Sequence, residues 1–270
     1  MSGSLDGKVC LITGAARGQG RSHARRLAAE GAAVVAFDLC GEATTVGYDP
    51  ATEADLADTV ASVEEAGGRI VARVGDVRDQ AALDSAVEDA MAAFGRLDVV
   101  VANAGVSCWG RFWEIDEAVF DDVIAINLTG VWRTFRAAIP TLIEQGEGGS
   151  LIAISSVAGI KALPAQAHYA ASKHGVVGLV KAAALELGEY GIRANSIHPW
   201  GVETHMVHDR SLGEIYRGHP EYQKSLGQVL PEPKFADPDD ISDAVCYLAS
   251  DASRCVTGVQ LPVDMGATIV

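Results

Sequence analysis

The sequence predicts an α/β fold, a single doubly wound domain in which a parallel sheet of seven strands is flanked by helices on both faces. Short runs rich in β-branched residues alternate with longer helical patterns, as expected of repeated βαβ units. A glycine-rich turn directly follows the first of these runs. Because no break in composition, low-complexity linker or internal repeat divides the 270 residues, we predict one domain over residues 1–270.

The β-branched runs define the strands, and the helices occupy the intervals between them. Two helix starts carry explicit signals, since Thr52 followed by Asp55 resembles a capping box and Asp237 precedes a proline at the first helical position. The predicted strands are Lys8–Thr13, Ala33–Asp38, Arg69–Asp76, Leu97–Ala102, Gly149–Ser155, Arg193–His198 and Gln260–Val263.

Two stretches between these elements are predicted to be irregular. Cys40–Pro50 is an insertion after the second strand, and Trp200–Asp237 carries three of the nine prolines with little periodicity. Long loops of this kind often act as lids over a ligand. An excursion over the protein surface is the alternative for both.

Composition and charge exclude several classes of protein. Apolar residues form 49% of the chain and charged residues 21%, which is typical of a globular protein. With 21 Lys and Arg against 36 Asp and Glu, the net charge of −15 makes nucleic acid and anionic membrane poor partners. The start, MSGSLDGK, lacks a signal peptide's apolar stretch, and no apolar run reaches the roughly 18 residues of a membrane span, so we expect a cytoplasmic protein.

Cysteine and histidine spacings do not predict a metal site. The five cysteines are widely spread and never form a C-x-x-C pair, a pattern typical of reduced thiols. His205 and His208 are three residues apart, but the sequence offers no evident third ligand beside them.

The glycine-rich turn predicts a phosphate-binding site. The first strand runs into T-G-A-A-R-G-Q-G, residues Thr13–Gly20, and then into an alanine- and arginine-rich helix. Such glycines let the backbone approach a pyrophosphate at the helix N-terminus, where free N–H groups and the helix dipole favour negative charge. Asp38 ends the second strand, where a carboxylate accepts hydrogen bonds from ribose hydroxyls and repels a 2′-phosphate. NAD is therefore favoured over NADP, although Arg17 is a basic residue that would favour that phosphate.

Two further polar groups follow predicted strands at the edge of the sheet where open α/β sheets bind ligands. Asp76-Val77 closes the third strand, and Asn103-Ala104-Gly105 follows the fourth. We expect the adenine and a ribose of the dinucleotide beside them. Ordinary turn chemistry is the alternative for each group taken alone.

A candidate catalytic pair lies on one predicted helix. Tyr169 and Lys173 are four residues apart, so their side chains share a helix face. Oxidising an alcohol needs a base, and a phenol with a pKa near 10 becomes one only if positive neighbours supply about 4 kcal/mol of differential stabilisation. Lys173 and a nicotinamide ring are such neighbours. Ser156 is placed to hydrogen-bond the substrate oxygen, and Asn127, on the preceding long helix, to order a water near Lys173.

Together these residues resemble the short-chain dehydrogenase/reductase family, whose motifs are T-G-x-x-x-G-x-G, N-A-G and an Asn, Ser, Tyr, Lys tetrad. The resemblance covers nearly the whole chain and implies a Rossmann-like sheet ordered 3-2-1-4-5-6-7 and often a homotetramer. It implies catalysis by Asn127, Ser156, Tyr169 and Lys173. It implies cofactor contacts from Gly14, Arg17, Gly18, Gln19, Gly20, Asp38, Leu39, Asp76, Val77, Asn103, Ala104, Gly105, Tyr169, Lys173, Pro199, Val202 and Thr204.

Longer matches resemble one branch of that family. LITGAARGQGRSHARRLAAEGA, LDVVVANAGV, HYAASKHGVVGL and the inserted Cys40–Pro50 look like the mycofactocin-associated, carveol-dehydrogenase-like branch. The resemblance implies a tightly held nicotinamide cofactor that passes its electrons to mycofactocin, a peptide-derived redox cofactor, with the insertion covering the dinucleotide. The chain departs from the family where Trp200 stands between Pro199 and Gly201, and Trp200 is therefore assigned to the substrate pocket.

Aromatic and apolar residues bracket the predicted nicotinamide and indicate a hydrophobic alcohol or ketone as substrate. The predicted substrate contacts are Ser107, Trp109, Trp113, Trp200 and Met206, with Phe112 and Tyr216 nearby. Packing in the protein core is the alternative for each. His168 and His174 flank the catalytic pair and are expected at solvated helix positions.

Two other functions stay open from the sequence. The first is an ordinary dehydrogenase or carbonyl reductase that exchanges NAD freely. The second is a non-catalytic dinucleotide-binding protein, which the complete tetrad disfavours.

Overall fold

Alternation of strand and helix builds one sheet with helices on both sides. The computed structural model describes residues 3–43 and 46–270. Seven strands form a fully parallel sheet in the order β3-β2-β1-β4-β5-β6-β7, which confirms the predicted fold class and strand order. The strands are β1 Val9–Thr13, β2 Ala33–Asp38, β3 Arg69–Val74, β4 Val99–Ala102, β5 Gly149–Ile154, β6 Ile192–Pro199 and β7 Gln260–Val263.

Within residues 3–43 and 46–270 the chain forms eight α-helices, most of which pack against the two faces of the sheet. They are α1 Gly18–Ala29, α2 Glu53–Glu65, α3 Gln80–Phe94, α4 Glu117–Ile124, α5 Gly130–Gln145, α6 Ala167–Leu187, α7 Arg210–Gly218 and α8 Pro238–Ala249. Helix α2 begins with the predicted Thr52–Asp55 capping box, and Asp237 caps α8 ahead of Pro238. No helix in the described part of the chain is both long and apolar enough to cross a membrane.

The central strands are buried on both faces, which is why they read as continuous apolar runs. Two hydrophobic cores result, one on each side of the sheet. Phe37 and Leu11 belong to the core beneath α3 and α5, whereas Ile12 and Val34 belong to the core beneath α1 and α8. This packing fixes the carboxyl ends of β1, β2, β4 and β5 relative to one another.

Several predicted strand edges were wrong by one or two residues. The fourth strand begins at Val99 instead of Leu97, because the Leu97 backbone bonds both ends of the Gln145 side-chain amide, at 2.8 and 2.6 Å, instead of a neighbouring strand. The third strand ends at Val74, since a turn closed by Asp79 N–H on the Asp76 carbonyl follows it. The first strand starts at Val9, the fifth ends at Ile154, and the sixth extends over Ile192–Pro199.

The segment 200–237 is more regular than predicted. It contains α7, whose start is capped by Asp209 accepting a hydrogen bond from Ser211 N–H at 2.8 Å. Tyr216 is the only buried residue of this helix, and its apolar side chains Leu212, Ile215 and Tyr216 recur at helical spacing over little more than one turn. Within Cys40–Pro50, Thr44 and Thr45 lie outside the described residues, and the others form neither helix nor strand.

Candidate active site

A cleft of about 1050 Å³, counting the part that opens to solvent, crosses the carboxyl ends of the first four strands. It brings together residues far apart in the sequence. The predicted residues on its lining are Gly14, Arg17, Gly18, Gln19, Gly20, Asp38, Leu39, Asp76, Val77, Asn103, Ala104, Gly105, Thr204 and Met206. Most of the predicted cofactor contacts therefore share one surface.

The glycine turn is shaped by close backbone contacts. A Cβ atom on Gly20 would lie 1.9 Å from the Gly14 carbonyl oxygen, and one on Gly14, whose φ is +68°, would lie 2.8 Å from the Ala104 Cα. Only glycine fits at either position. The turn thereby brings the start of α1 against the end of β4.

The start of α1 fits an anionic group. Its N-cap residue Arg17 makes no side-chain cap, and the first turn holds no acidic side chain to neutralise the helix N-terminus. The Gln19 Oε1 atom is buried beside this turn without a hydrogen-bond partner. The free backbone N–H groups of this turn fit the pyrophosphate of a dinucleotide, as the glycine pattern predicted, whereas the Gln19 Oε1 atom is an acceptor and does not contribute to such binding.

Asp38 is held in a fixed orientation at the end of β2. Its Oδ2 accepts a hydrogen bond from Ala16 N–H at 2.9 Å and its Oδ1 one from Cys40 N–H at 3.0 Å. Each carboxylate oxygen has a further lone pair, which is available to a ribose hydroxyl. The side chain is buried at the edge of the cleft, where it would repel a 2′-phosphate.

Asn103 and Asp76 are largely engaged with the protein itself. The Asn103 amide donates to the carbonyls of Thr13 and Gly14 at 2.9 and 3.1 Å, so it locks the glycine turn to β4. The Asp76 carboxylate is paired with Arg78 at 2.6 Å. Both residues shape the cleft, and the contact that each would make with a cofactor stays a prediction.

The inserted segment Cys40–Pro50, hereafter the strap, lines the outer side of the cleft. The Arg17 guanidinium donates to the backbone carbonyls of Asp49 and Pro50, at 2.5 and 3.2 Å, and so is turned toward the strap. Tyr48 reaches the active-site loop, where its hydroxyl accepts a hydrogen bond from Ser107 N–H at 3.4 Å. Gly47 packs closely against Asp209, and a Cβ on Gly47 would clash with the Asp209 carboxylate. The strap is therefore fastened on both sides of the cleft.

Tyr169, Ser156 and Lys173 lie together beside this cleft, although none of the three is on its lining: a Cβ on the lining residue Gly105 would be 3.6 Å from Lys173 Nζ. The Ser156 hydroxyl hydrogen-bonds Tyr169, and Lys173 Nζ lies 5.5 Å from the centroid of the Tyr169 ring. Burial raises the pKa of the Tyr169 phenol, while the bond from Ser156 lowers it, and burial prevails. Burial lowers the pKa of Lys173 to about 8. At neutral pH most of the Lys173 ammonium still carries its charge.

Asn127 lies in a π-helical turn, Ala125–Thr129, instead of within a regular long helix as predicted. This wide turn joins α4 to α5, and π turns of this kind are frequent at functional sites. The Asn127 amide exchanges two hydrogen bonds of 2.8 Å with the backbone of Val106. A Cβ built on Gly105 would lie 3.3 Å from Asn127 Oδ1 and 3.6 Å from Lys173 Nζ, which places the amide and the ammonium side by side.

The predicted substrate residues divide into two groups. Met206 lines the cleft, Ser107 binds Tyr48 and Gln166, and the Trp109 ring packs edge-on against Tyr216 at 5.5 Å. Of the five, only Met206 is on the cleft lining; Ser107 touches the lining through Tyr48, and Trp109, Trp113 and Trp200 are not on it.

Trp113 and Trp200 each lie beside a basic side chain. The Trp113 ring is 73% exposed and lies under the Arg111 guanidinium, and the Trp200 ring lies under the Lys161 ammonium.

Two neighbours of Trp200 in the sequence, Pro199 and Val202, are predicted cofactor contacts. Pro199 ends β6, and Val202 is buried in a bridge with Ala236, so neither is on the cleft lining.

Histidine placement differs from expectation at one position. His168 is buried instead of solvated, with its Nε2 3.0 Å from the Cys108 thiol, whereas His174 is exposed as predicted. His205 lines the cleft and His208 pairs with Glu203 at 3.0 Å. Within residues 3–43 and 46–270, no three His, Cys, Asp or Glu side chains are grouped to hold a metal.

Two residues at the site were missed by the sequence analysis. Tyr48 lines the cleft from within the strap, and His198 lies behind Ser156. The strap had been recognised as an insertion, but no pattern in it marked one inward-pointing side chain. His198 was read only as the end of a strand.

Comparison with known proteins agrees with this geometry. Residues 14–268 match a family model described as enoyl-(acyl carrier protein) reductase. An uncharacterized NAD-dependent oxidoreductase from Mycobacterium tuberculosis is 51% identical over 267 residues, which are 98% of this chain and 97% of that protein. The chain belongs to the short-chain dehydrogenase/reductase family.

Solved structures of this family match the whole chain. A short-chain dehydrogenase from Mycobacterium paratuberculosis bound to NAD superposes with a TM-score of 0.96 and 50% identity, covering 99% of this chain and 100% of that one. Carveol dehydrogenase from Mycobacterium avium in complex with NAD gives a TM-score of 0.94 and 46% identity over the same shares. The predicted resemblance to a short-chain dehydrogenase related to carveol dehydrogenase is confirmed.

Proposed function

We propose that this protein oxidises a hydrophobic secondary alcohol of the carveol type with NAD as cofactor. The observation that carries the proposal is that Tyr169, Ser156 and Lys173 lie together directly behind Gly105, on the lining of a cleft that fits a dinucleotide. Asp38 favours NAD over NADP because its carboxylate stands where a 2′-phosphate would approach. Two similar short-chain dehydrogenases crystallised with NAD support this choice.

NAD, when bound, supplies the acceptor for the hydride that leaves the carbinol carbon. Tyr169, as phenolate, accepts the hydroxyl proton, and the Ser156 hydroxyl holds the substrate oxygen against it. The Lys173 ammonium stabilises the phenolate through its charge. Asn127 fixes the loop at Val106 and lies beside Lys173, where it can order a water. The product is the corresponding ketone.

We further propose that the strap slows exchange of the dinucleotide and that mycofactocin takes up the electrons. Support comes from the bonds that fasten the strap through Arg17 and Tyr48 over the cleft. A cofactor that leaves slowly must be re-oxidised where it is bound, which favours a redox carrier as electron acceptor. The strap at 40–50 and the loop 200–237 then act within one catalytic domain of 270 residues.

The assembly and compartment are part of the same proposal. Exposed apolar side chains provide surface for a homotetramer. They are Phe120 on α4, Trp132 on α5, and Ile269 and Val270 at the C-terminus. All five cysteines are free, which suits a cytoplasmic enzyme.

One experiment separates these points. Purified protein is denatured, the released nucleotide is identified, and oxidation of carveol is then compared with added NAD and with an artificial dye as electron acceptor. We expect NAD to be released on denaturation and the dye to support faster turnover than added NAD. Protein that arrives empty and turns over rapidly with added NAD would leave the dehydrogenase and remove slow exchange and mycofactocin. Protein that oxidises no alcohol with either acceptor would remove the dehydrogenase itself.

A further inference from the structure

His198 is a fully buried imidazole to which the chemistry above assigns no role. It is the penultimate residue of β6 and lies beside the end of β5, where Ser155 N–H donates to the Ile197 carbonyl at 2.8 Å. Its position in the sheet therefore puts it directly behind Ser156.

The hydrogen bonds of His198 fix its tautomer. Nδ1 lies 2.7 Å from the Ser156 carbonyl oxygen, and a carbonyl can only accept, so Nδ1 carries the proton. In the neutral ring Nε2 is then an acceptor, and the Ser196 hydroxyl shares its proton between Nε2 at 2.9 Å and the Val259 carbonyl at 3.3 Å. Burial keeps the ring neutral, since it lowers the pKa of His198 to about 4.

The Ser156 carbonyl is thus held from two sides. It accepts the His198 bond at 2.7 Å and a second bond from Gly159 N–H at 2.8 Å. The Ser156 hydroxyl accepts a bond from Ala158 N–H at 3.1 Å, which places this residue at the start of a short turn. With the carbonyl and the hydroxyl both tied, the orientation of the serine is determined.

The same strand end also anchors the catalytic ammonium. Lys173 Nζ donates to the Ile154 carbonyl at 2.9 Å, and the Ser155 hydroxyl donates to the Lys173 carbonyl at 3.1 Å. The three residues at the end of β5 therefore connect α6 on one side with His198 on the other. His198 bonds the serine end of this connection, and the bonds of Lys173 are made by Ile154 and Ser155.

We propose that His198 is a positioning residue that orients Ser156 toward the substrate oxygen by donating from Nδ1 to the Ser156 backbone carbonyl. This inference rests on the alcohol oxidation proposed above. It requires that loss of the Nδ1 donor impairs the chemical step and alcohol binding, and that NAD binding at the glycine turn is unaffected.

The test compares two amide substitutions that differ in where the donor lies. In His198→Asn the amide nitrogen takes the place of Nδ1, whereas in His198→Gln it reaches toward the place of Nε2. We expect His198→Gln to lower kcat for carveol roughly tenfold to hundredfold, the range that follows small misplacement of a reacting group. We expect His198→Asn to retain most of kcat, and both variants to bind NAD like the wild type. His219→Gln, the same change at a partly exposed histidine, is the matched control.

Equal kcat in His198→Gln and wild type would overturn the proposal, and so would equal losses in the Asn and Gln variants with equal losses of melting temperature. A second measurement does not depend on turnover. The ¹⁵N chemical shifts of the His198 ring, assigned by comparison with His198→Asn, must show the Nδ1–H tautomer, and the Nε2–H tautomer would overturn the proposal. A wild type with the Nδ1–H tautomer and no alcohol oxidation would remove the proposed function, while the hydrogen bond from His198 to the Ser156 carbonyl would stand.

Discussion

Replacing Lys173 by Met tests whether its charge makes Tyr169 a base. Met keeps a long apolar side chain but removes the ammonium, which lies 5.5 Å from the centroid of the phenol ring. Over about that distance, at an effective dielectric constant of about 20, two unit charges interact by about 3 kcal/mol. At a fixed neutral pH this corresponds to a roughly hundredfold smaller fraction of phenolate, and kcat should fall by the same factor.

The assay is the pH dependence of kcat for carveol oxidation at saturating NAD. In Lys173→Met the rise of kcat with pH should move to more alkaline pH, because the phenol now loses its proton less readily. Lys181→Met, the same change at an exposed position on the same helix, should leave the profile unchanged. A Lys173→Met profile that loses amplitude without moving along the pH axis would refute an electrostatic role and leave Lys173 only the binding of cofactor.

Three further perturbations follow from the same geometry. Gly20→Ala should lose nucleotide binding and about 3 kcal/mol of stability in denaturant unfolding, because its Cβ would lie 1.9 Å from the Gly14 carbonyl oxygen. Gly178→Ala is the control, since a Cβ there meets nothing within 4 Å, and it should lose neither. Arg17→Met removes two hydrogen bonds to the strap, which together stabilise it by about 1–2 kcal/mol. In stopped-flow measurements NADH should therefore dissociate from this variant roughly 5- to 30-fold faster than from the wild type. Arg25→Met, on the same helix, should leave the dissociation rate unchanged. Burial lowers the pKa of His23 to about 3, so the unfolded chain takes up a proton at higher pH than the folded one. The free energy of unfolding should therefore fall as the pH drops from about 6.5 to about 3. His23→Asn should show a shallower fall, and a slope unchanged from the wild type would refute this assignment.

The sheet could be predicted because its determinants are local and repeated. Each buried strand is a short apolar run between helical patterns, and the glycine turn, Asp38 and the N-A-G group mark the carboxyl ends of three of the strands. Strand edges were less accurate because a side chain can replace the ladder, as Gln145 does at Leu97. Helix α7 was missed because the helical spacing of Leu212, Ile215 and Tyr216 extends over little more than one turn within a proline-containing segment.

Part of the candidate site could be predicted because the spacing of two residues along one helix fixes the relative position of their side chains. Tyr169 and Lys173 share a helix face by their separation alone, and the structure places them together. Contacts between distant segments could not be read in this way. The turn of Arg17 toward the strap, the inward position of Tyr48 and the bond from His198 to Ser156 each depend on how loops and strands pack in three dimensions.

The most direct test of the central claim is a single turnover of carveol on enzyme saturated with NAD, compared between wild type, Tyr169→Phe and Tyr190→Phe. Tyr190 is an exposed phenol in the short turn that follows α6, so its loss should leave the rate of NADH formation unchanged. We expect Tyr169→Phe to bind NAD and to form NADH about 10²- to 10⁴-fold more slowly, since only the proton acceptor has been removed. NADH formation at the wild-type rate in Tyr169→Phe would contradict the assignment of Tyr169 as the base.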